Sequence, residues 1–219
     1  RTAAVESLSV LYANDDLMIY DIGSGSLGSF FTGGQILRSV QGRLRTYTAS
    51  GVPVSTGFDA TPALRLLGGE KPEVAVARTL DGYECLPDGV RIRSRARFES
   101  GDVEIIETLR VSSGPANRRL ARELQVTGVP VDRSIEVQTR GADSRNVEVV
   151  ATIGEARGEI ADQLFRATLT PDRNHVSLAT IQFDLPPAQP AAAGEQIALA
   201  DPGRVEGSLE RPGYQAIAF

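Results

Sequence analysis

The sequence contains no tryptophan, one cysteine, one histidine and one methionine, and its 23 basic residues include a single lysine, Lys71. With Cys85 as the only cysteine, an intrachain disulfide, a CxxC redox pair, a covalent CxxCH haem site and a cysteine zinc cluster are all excluded within these residues. Cysteine usage is therefore silent about compartment. One histidine and one cysteine cannot fill a zinc shell without carboxylates from separate loops, so no metal and no cofactor is assigned. Five tyrosines and seven phenylalanines, without tryptophan, weigh against an exposed aromatic platform for sugar rings. No apolar run approaches the roughly 18 residues of a membrane-spanning helix, so contact with a membrane is expected only through partners or a lost anchor. A formal net charge of −5 argues against nucleic acid, whose binding rests on concentrated positive charge.

What is present is a chain of 219 residues, long enough to bury a core without a covalent staple. It opens at Arg1, so we expect either that a leader was removed or that these residues belong to a longer product. The expected location is periplasmic or extracellular.

One hairpin organises the rest. Val90 to Phe98 and Val103 to Val111 flank the turn Glu99-Ser100-Gly101-Asp102. With Ser100-Gly101 as a two-residue loop, Phe98 faces Val103, Ala96 faces Ile105, Ile92 faces Leu109 and Val90 faces Val111 on a core side. The other side carries Arg91, Arg93, Arg95 and Arg97, answered by Glu104, Ile106, Thr108 and Arg110, with Glu104 opposite Arg97. Four like charges on one face repel one another unless carboxylates of adjacent strands intervene. The row therefore reads as a solvated ladder, with docking of an acidic partner as its functional alternative.

Residues 7 to 22 alternate as strands around the turn Asn14-Asp15-Asp16. Gly23-Ser24-Gly25-Ser26-Leu27-Gly28 matches the dinucleotide fingerprint by letter. It precedes Ser29-Phe30-Phe31-Thr32-Gly33-Gly34 rather than a helix, and no acidic residue follows near Thr48 to Gly51, so it reads as a strand connection. Ile36 to Val40 and Arg43 to Thr48 form a hairpin about Gln41-Gly42, and residues 50 to 63 read as a long loop. Further short strands are expected at Leu64 to Leu67, Val74 to Leu80, Leu120 to Val126, Ile135 to Gln138, Val147 to Ile153, Leu164 to Leu169 and His175 to Phe183. Glu155 to Gln163 is the one helix candidate. This rhythm of strands and turns marks an all-β, mainly antiparallel β-sandwich of about fourteen short strands. It occupies residues 1–185. A Pro/Ala-rich spacer fills 186–195, and residues 196–219, with strand-like pieces at Ile197 to Leu199 and Val205 to Leu209, return to the sheet edge or lead to another domain.

Candidate chemistry is sparse. His175 follows the turn Pro171-Asp172-Arg173-Asn174 and lacks a GxSxG elbow to make a triad, so it reads as a turn histidine satisfied by water or backbone. Asn14, Asp15, Asp16 and Asp21 offer oxygens suited to calcium but without EF-hand spacing, and a solvated turn is the plainer reading. Cys85 has no adjacent base and reads as a half-buried inert thiol. Met18 sits in an apolar strand and reads as core. Catalytic residues are not assigned.

Three segments carry a resemblance. They are Asp16-Leu17-Met18-Ile19-Tyr20-Asp21 running to Phe30-Phe31-Thr32-Gly33-Gly34, the hairpin Gly101 to Leu109 with Arg119 to Gly128, and the ending Leu209-Glu210-Arg211-Pro212-Gly213-Tyr214 through Phe219. Together they resemble the β-sandwich module of large exported bacterial proteins, where it adjoins a sugar-dehydrogenase-like β-propeller and c-type cytochrome domains. The resemblance carries no catalytic residues, and this chain has no CxxCH and no room for a propeller. It implies a non-catalytic subunit with a structural or docking role among the protein subunits of a respiratory or photosynthetic electron-transfer complex. Arg91, Arg93, Arg95 and Arg97 are the candidate docking residues. The rival is a carbohydrate-binding or carbohydrate-processing sandwich using Tyr47 or Tyr83, and a nucleotide-dependent enzyme built on Gly23 to Gly28 is a third reading.

Overall fold

The computed structural model describes residues 7–12, 16–21, 26–41, 44–56, 64–112, 118–140, 147–161, 164–185, 187 and 215–218. In chain order the strands are β1 (Ser7–Leu11), β2 (Leu17–Asp21), β3 (Ser26–Gln41), β4 (Leu44–Thr56), β5 (Leu64–Leu67), β6 (Glu73–Val74), β7 (Ala77–Leu86) and β8 (Gly89–Phe98). They continue with β9 (Gly101–Val111), β10 (Arg119–Thr127), β11 (Ser134–Arg140), β12 (Val147–Ile153), β13 (Glu155–Ala161), β14 (Leu164–Thr170), β15 (Val176–Asp184) and β16 (Gln215–Ala218). No helix among the described residues is long and apolar enough to cross a membrane.

These strands form three sheets. A six-stranded sheet has the order β12-β15-β10-β9-β8-β7, an N-terminal sheet β16-β1-β2-β3-β4, and a third sheet β13-β14-β11-β5-β6. Every pairing is antiparallel except β1 with β16. The period-2 pattern decides which face is buried. In β8 Val90, Ile92, Ala96 and Phe98 are buried, and in β10 Leu120, Leu124 and Val126. They join Leu8, Val10, Met18 and Phe30 of the N-terminal sheet and Leu66, Ile135, Val137 and Phe165 of the third in one core. The hydroxyl of Tyr12, just past β1, donates to the Leu109 carbonyl at 3.4 Å, and Phe165 meets Phe183 edge-on at 6.1 Å. Both smaller sheets thus pack on the six-stranded one, giving an all-β, mainly antiparallel sandwich.

Several expectations are corrected. The central hairpin turns one residue earlier, over Glu99-Ser100, so that Phe98 pairs with Gly101, Ala96 with Val103, Ile92 with Glu107 and Val90 with Leu109. The cause is Glu73, whose carboxylate accepts from the Ser100 amide at 2.9 Å and from its hydroxyl at 3.0 Å and holds Ser100 in the turn. The helix candidate is β13: Gly154, at φ 76°, turns the chain back, and Glu155 to Ala161 pairs with β14 along its whole length. Residues 50–56, read as loop, continue β4, and Pro53 is tolerated there because β4 is an edge strand. The Gly33-Gly34 break is a bulge inside β3, lying between the pairs Thr32–Val52 and Gln35–Ser50. The β3–β4 hairpin closes on Gln41–Leu44 rather than about Gln41-Gly42. Val74 to Leu80 is not one strand, since β6 ends at Val74 in the third sheet and β7 begins at Ala77 in the six-stranded sheet. The strand-like pieces at 197–199 and 205–209 lie outside the described residues.

A Cβ added at Gly89, on the first rung of β8, would stand 2.0 Å from the Leu109 carbonyl oxygen. Gly89→Ala is expected to lower the unfolding free energy by about 2–3 kcal/mol, because the obstacle is paired backbone. Urea denaturation followed by circular dichroism checks this, and a loss below about 0.5 kcal/mol would contradict so tight an approach.

Candidate functional site

Two groups of charged side chains stand out, one inside the sandwich and one on its surface. The inner group arises where charged and polar residues occupy the apolar parity of the central strands. Glu107 falls between Ile105 and Leu109 in β9, Arg122 between Leu120 and Leu124 in β10, and Ser94 between Ile92 and Ala96 in β8. The side chains of Glu107 and Arg122 are fully buried, and that of Arg78 in β7 nearly so. Arg122 Nε donates to Glu107 Oε1 at 2.5 Å, and the Tyr20 hydroxyl donates to Oε2 at 2.6 Å. Arg78 Nη2 stands 3.6 Å from the same Oε2, and its Nε and Nη2 donate to Ser94 Oγ at 3.0 and 2.7 Å. The Arg78 guanidinium also lies 5.9 Å from the centre of the Tyr20 ring. A buried carboxylate is tolerable only when its oxygens are matched in this way.

Burial pushes the Tyr20 phenol well above its ordinary value of 10.0; Arg78 and Arg122 act against that shift and Glu107 adds to it. Burial opposes the charge on Arg122, but Glu107 beside it holds the guanidinium protonated, above its ordinary value. All these groups are engaged with one another. The cluster is built to hold the N-terminal sheet on the six-stranded sheet.

A second buried ion pair joins Asp16 to Arg118, whose Nη1 also donates to Thr32 Oγ1 at 3.4 Å. Asp16 is completely buried and its carboxylate is paired with Arg118, which corrects the solvated-turn reading for this residue. Asn14 and Asp15 lie outside the described residues, as does the side chain of Asp21. Among the described residues no group of three His, Cys, Asp or Glu is arranged to hold a metal ion. Glu73, besides holding Ser100, meets Arg133 Nη1 at 2.6 Å, and Glu136 accepts from Gln138 at 2.7 Å and Arg65 at 3.4 Å.

The surface group is the arginine row. Arg91, Arg93, Arg95 and Arg97 alternate with buried residues on the outer face of β8, as expected. Their partners differ from expectation because of the displaced turn: Arg97 faces Asp102 and Arg95 faces Glu104. Arg97 Nε meets Asp102 at 3.3 Å, and Arg91 meets Glu84 of β7 at 2.9 Å. Arg95 donates through two nitrogens to Asp81, at 2.8 and 3.2 Å. Its hydrogen bonds hold the Asp81 carboxyl below the usual carboxylate range. A register shift in β7 between Leu80 and Gly82 delivers Asp81 to Arg95 and sets Gly82 opposite Arg93. Arg93 has no ion pair among the described residues.

His175, at φ 60°, receives a backbone place in its turn: its amide donates to the Asp172 carbonyl at 3.0 Å, and Nδ1 lies 3.1 Å from the Val129 carbonyl. Cys85 is exposed rather than half-buried, because it sits on the next-to-last rung of edge strand β7, and what burial it has raises its pKa. Met18 is buried in the core. Tyr83 is half-buried and packs against that core rather than standing out as a platform, while the Tyr47 side chain lies outside the described residues. The fingerprint-like glycines run into β3 from Ser26, with no helix there; Gly23 to Gly25 lie outside the described residues.

Reasoning from the sequence missed the inner cluster. Its signal was present: Ser94, Glu107 and Arg122 interrupt the apolar parity of three consecutive central strands.

No protein-family model matches this chain, and no curated protein matches it.

Tyr20→Phe removes one donor from a buried carboxylate and is expected to cost about 1.5–3 kcal/mol. Glu107→Leu strands two buried guanidinia and is expected to cost about 3–5 kcal/mol; urea melts of both variants check the ranking. Tyr12 and Tyr20 are expected to weaken the fold at alkaline pH. Both have folded values raised above their ordinary 10.0, chiefly by burial, so their contribution is whole below pH 10 and is lost as the pH climbs towards the folded values. Stability should fall above about pH 10 by about 1.4 kcal/mol per pH unit for each tyrosine, and Tyr20→Phe should halve that slope. Denaturant melts between pH 9 and 11.5 read it directly, and an unchanged slope in the variant would refute the assignment.

Proposed function

We propose that this chain is a non-catalytic β-sandwich that serves as a structural or docking subunit of an extracytoplasmic protein assembly. The observation that carries the reading is the use made of buried ionisable groups. Glu107, Arg122 and Arg78 are bound to one another and to Tyr20, Asp16 to Arg118, and Glu73 to Ser100 and Arg133. A general acid, base or nucleophile needs a group free to change partners during reaction. These groups instead hold sheets and turns in register, which suits a rigid support. The outer face of the six-stranded sheet offers ordered charge, and ordered charge at a protein surface confers specificity and orientation on association more than raw affinity. The assembly class implied by the resemblance is an electron-transfer complex, in which redox groups belong to the partners.

Native mass spectrometry of the gently extracted protein tests the reading. The expected result is the 23.4 kDa chain, or the longer product that contains it, in fixed stoichiometry with another protein. Recovery of the chain alone under the same extraction would overturn it and return the question to ligands, with a glycan array as the next measurement.

A further inference from the structure

Among the described residues, Arg93 is the one rung of the arginine row without a carboxylate partner. Its neighbours Arg91, Arg95 and Arg97 each take a carboxylate from an adjacent strand, and Arg110 takes Asp88. Arg93 instead lies between Gly82 of β7 and Ile106 of β9. It is exposed, Ile106 is half-buried, and a Cβ built on Gly82 would meet nothing within 4 Å. The register shift in β7 thus leaves an opening over Gly82 beside a guanidinium that has no ion pair among the described residues, with the apolar side chain of Ile106 on the neighbouring strand. Glu104 faces Arg95 one rung away and adds negative charge to the rim.

We propose that this gap is the contact point of the docking face, and that it receives a carboxylate side chain of a protein partner, held by the Arg93 guanidinium with an apolar neighbour resting on Ile106. The inference rests on the docking reading above. A carboxylate fits because each other rung of the row is closed by one. A polyanion does not, because the chain is net negative and the carboxylates along the row would repel a continuous line of charge. The partner is therefore a protein presenting an isolated acidic side chain rather than nucleic acid.

The test uses the isotope-labelled full chain. A decapeptide of serine and threonine with one central glutamate beside a valine, its ends blocked, is titrated at low salt while the arginine Nε–H and backbone amide resonances are followed. The expected result is that Arg93 Nε–H and the amides of Gly82 and Ile106 shift together, at least threefold more than those of Arg91, Arg95 and Arg97. The matching glutamine peptide should move none of them, and Arg93→Gln should abolish the response. Equal shifts along the whole row, or none, would overturn the proposal. In native extracts Arg93→Glu should reduce partner retention at least tenfold and Arg97→Glu less than twofold. Full retention by Arg93→Glu would overturn this contact point while leaving the docking reading intact. A wild-type chain recovered without any partner would overturn the docking reading, and the peptide titration would still decide the gap.

Discussion

The structure depends on a carboxylate that water does not reach. Glu107 has no exposed side-chain surface, and its charge is acceptable only because Tyr20, Arg122 and Arg78 converge on it from β2, β10 and β7. Removing water from such a group costs several kcal/mol, an expense that hydrophobic burial does not carry and that only good geometry offsets. That requirement has structural consequences. Tyr20 must stand at one height above the six-stranded sheet, so the N-terminal sheet cannot slide across it. Arg122 must lie beside Glu107, which agrees with the pairing of Leu124 with Glu107 and Arg122 with Leu109 on adjacent rungs. Apolar packing tolerates small shifts of register, whereas a shared carboxylate does not.

The surface works by a different balance. Arg93, Arg95 and Arg97 of β8 are exposed and Arg91 is half-buried, so the ion pairs of the row are screened and contribute little to stability individually. Their importance lies in order: the side chains are held in a row by partners on both neighbouring strands, and the β7 bulge decides which of them is left open. The same sheet therefore uses charge inside to fix its neighbours and charge outside to present a defined pattern.

Much of the architecture was legible because the physics is local. Alternation from Val90 to Phe98 and from Leu120 to Val126 identifies strands and their buried faces, and the all-β class follows from the repeated turn signals. The errors lie where a distant group intervenes. Glu73, 27 residues before Ser100, holds the hairpin turn one residue earlier, so the facing pairs differ from those the local pattern implies while the buried face is the same. The stretch that forms β13 reads as a helix from sequence because its Glu, Ala, Arg and Ile suit either state, and only the full-length partner β14 decides between them. The inner cluster joins residues 87 positions apart in the case of Tyr20 and Glu107, a proximity that no local pattern contains. What a sequence can show is the anomaly itself, a charge on a buried parity, and such anomalies are worth reading as pairs awaiting each other.

The parallel pairing of β16 with β1 has a consequence for how the protein is made. The first and last described strands are neighbours, with Leu8 beside Gln215 and Leu11 beside Ala218. A chain emerging from its N-terminus must hold β1 with one edge unsatisfied until residue 218 arrives. Such an edge invites pairing with other extended chains. Completion of the N-terminal sheet is thus a late event in biogenesis, and a chain translocated or synthesised vectorially requires that its first strand stay shielded while everything between is still on the way.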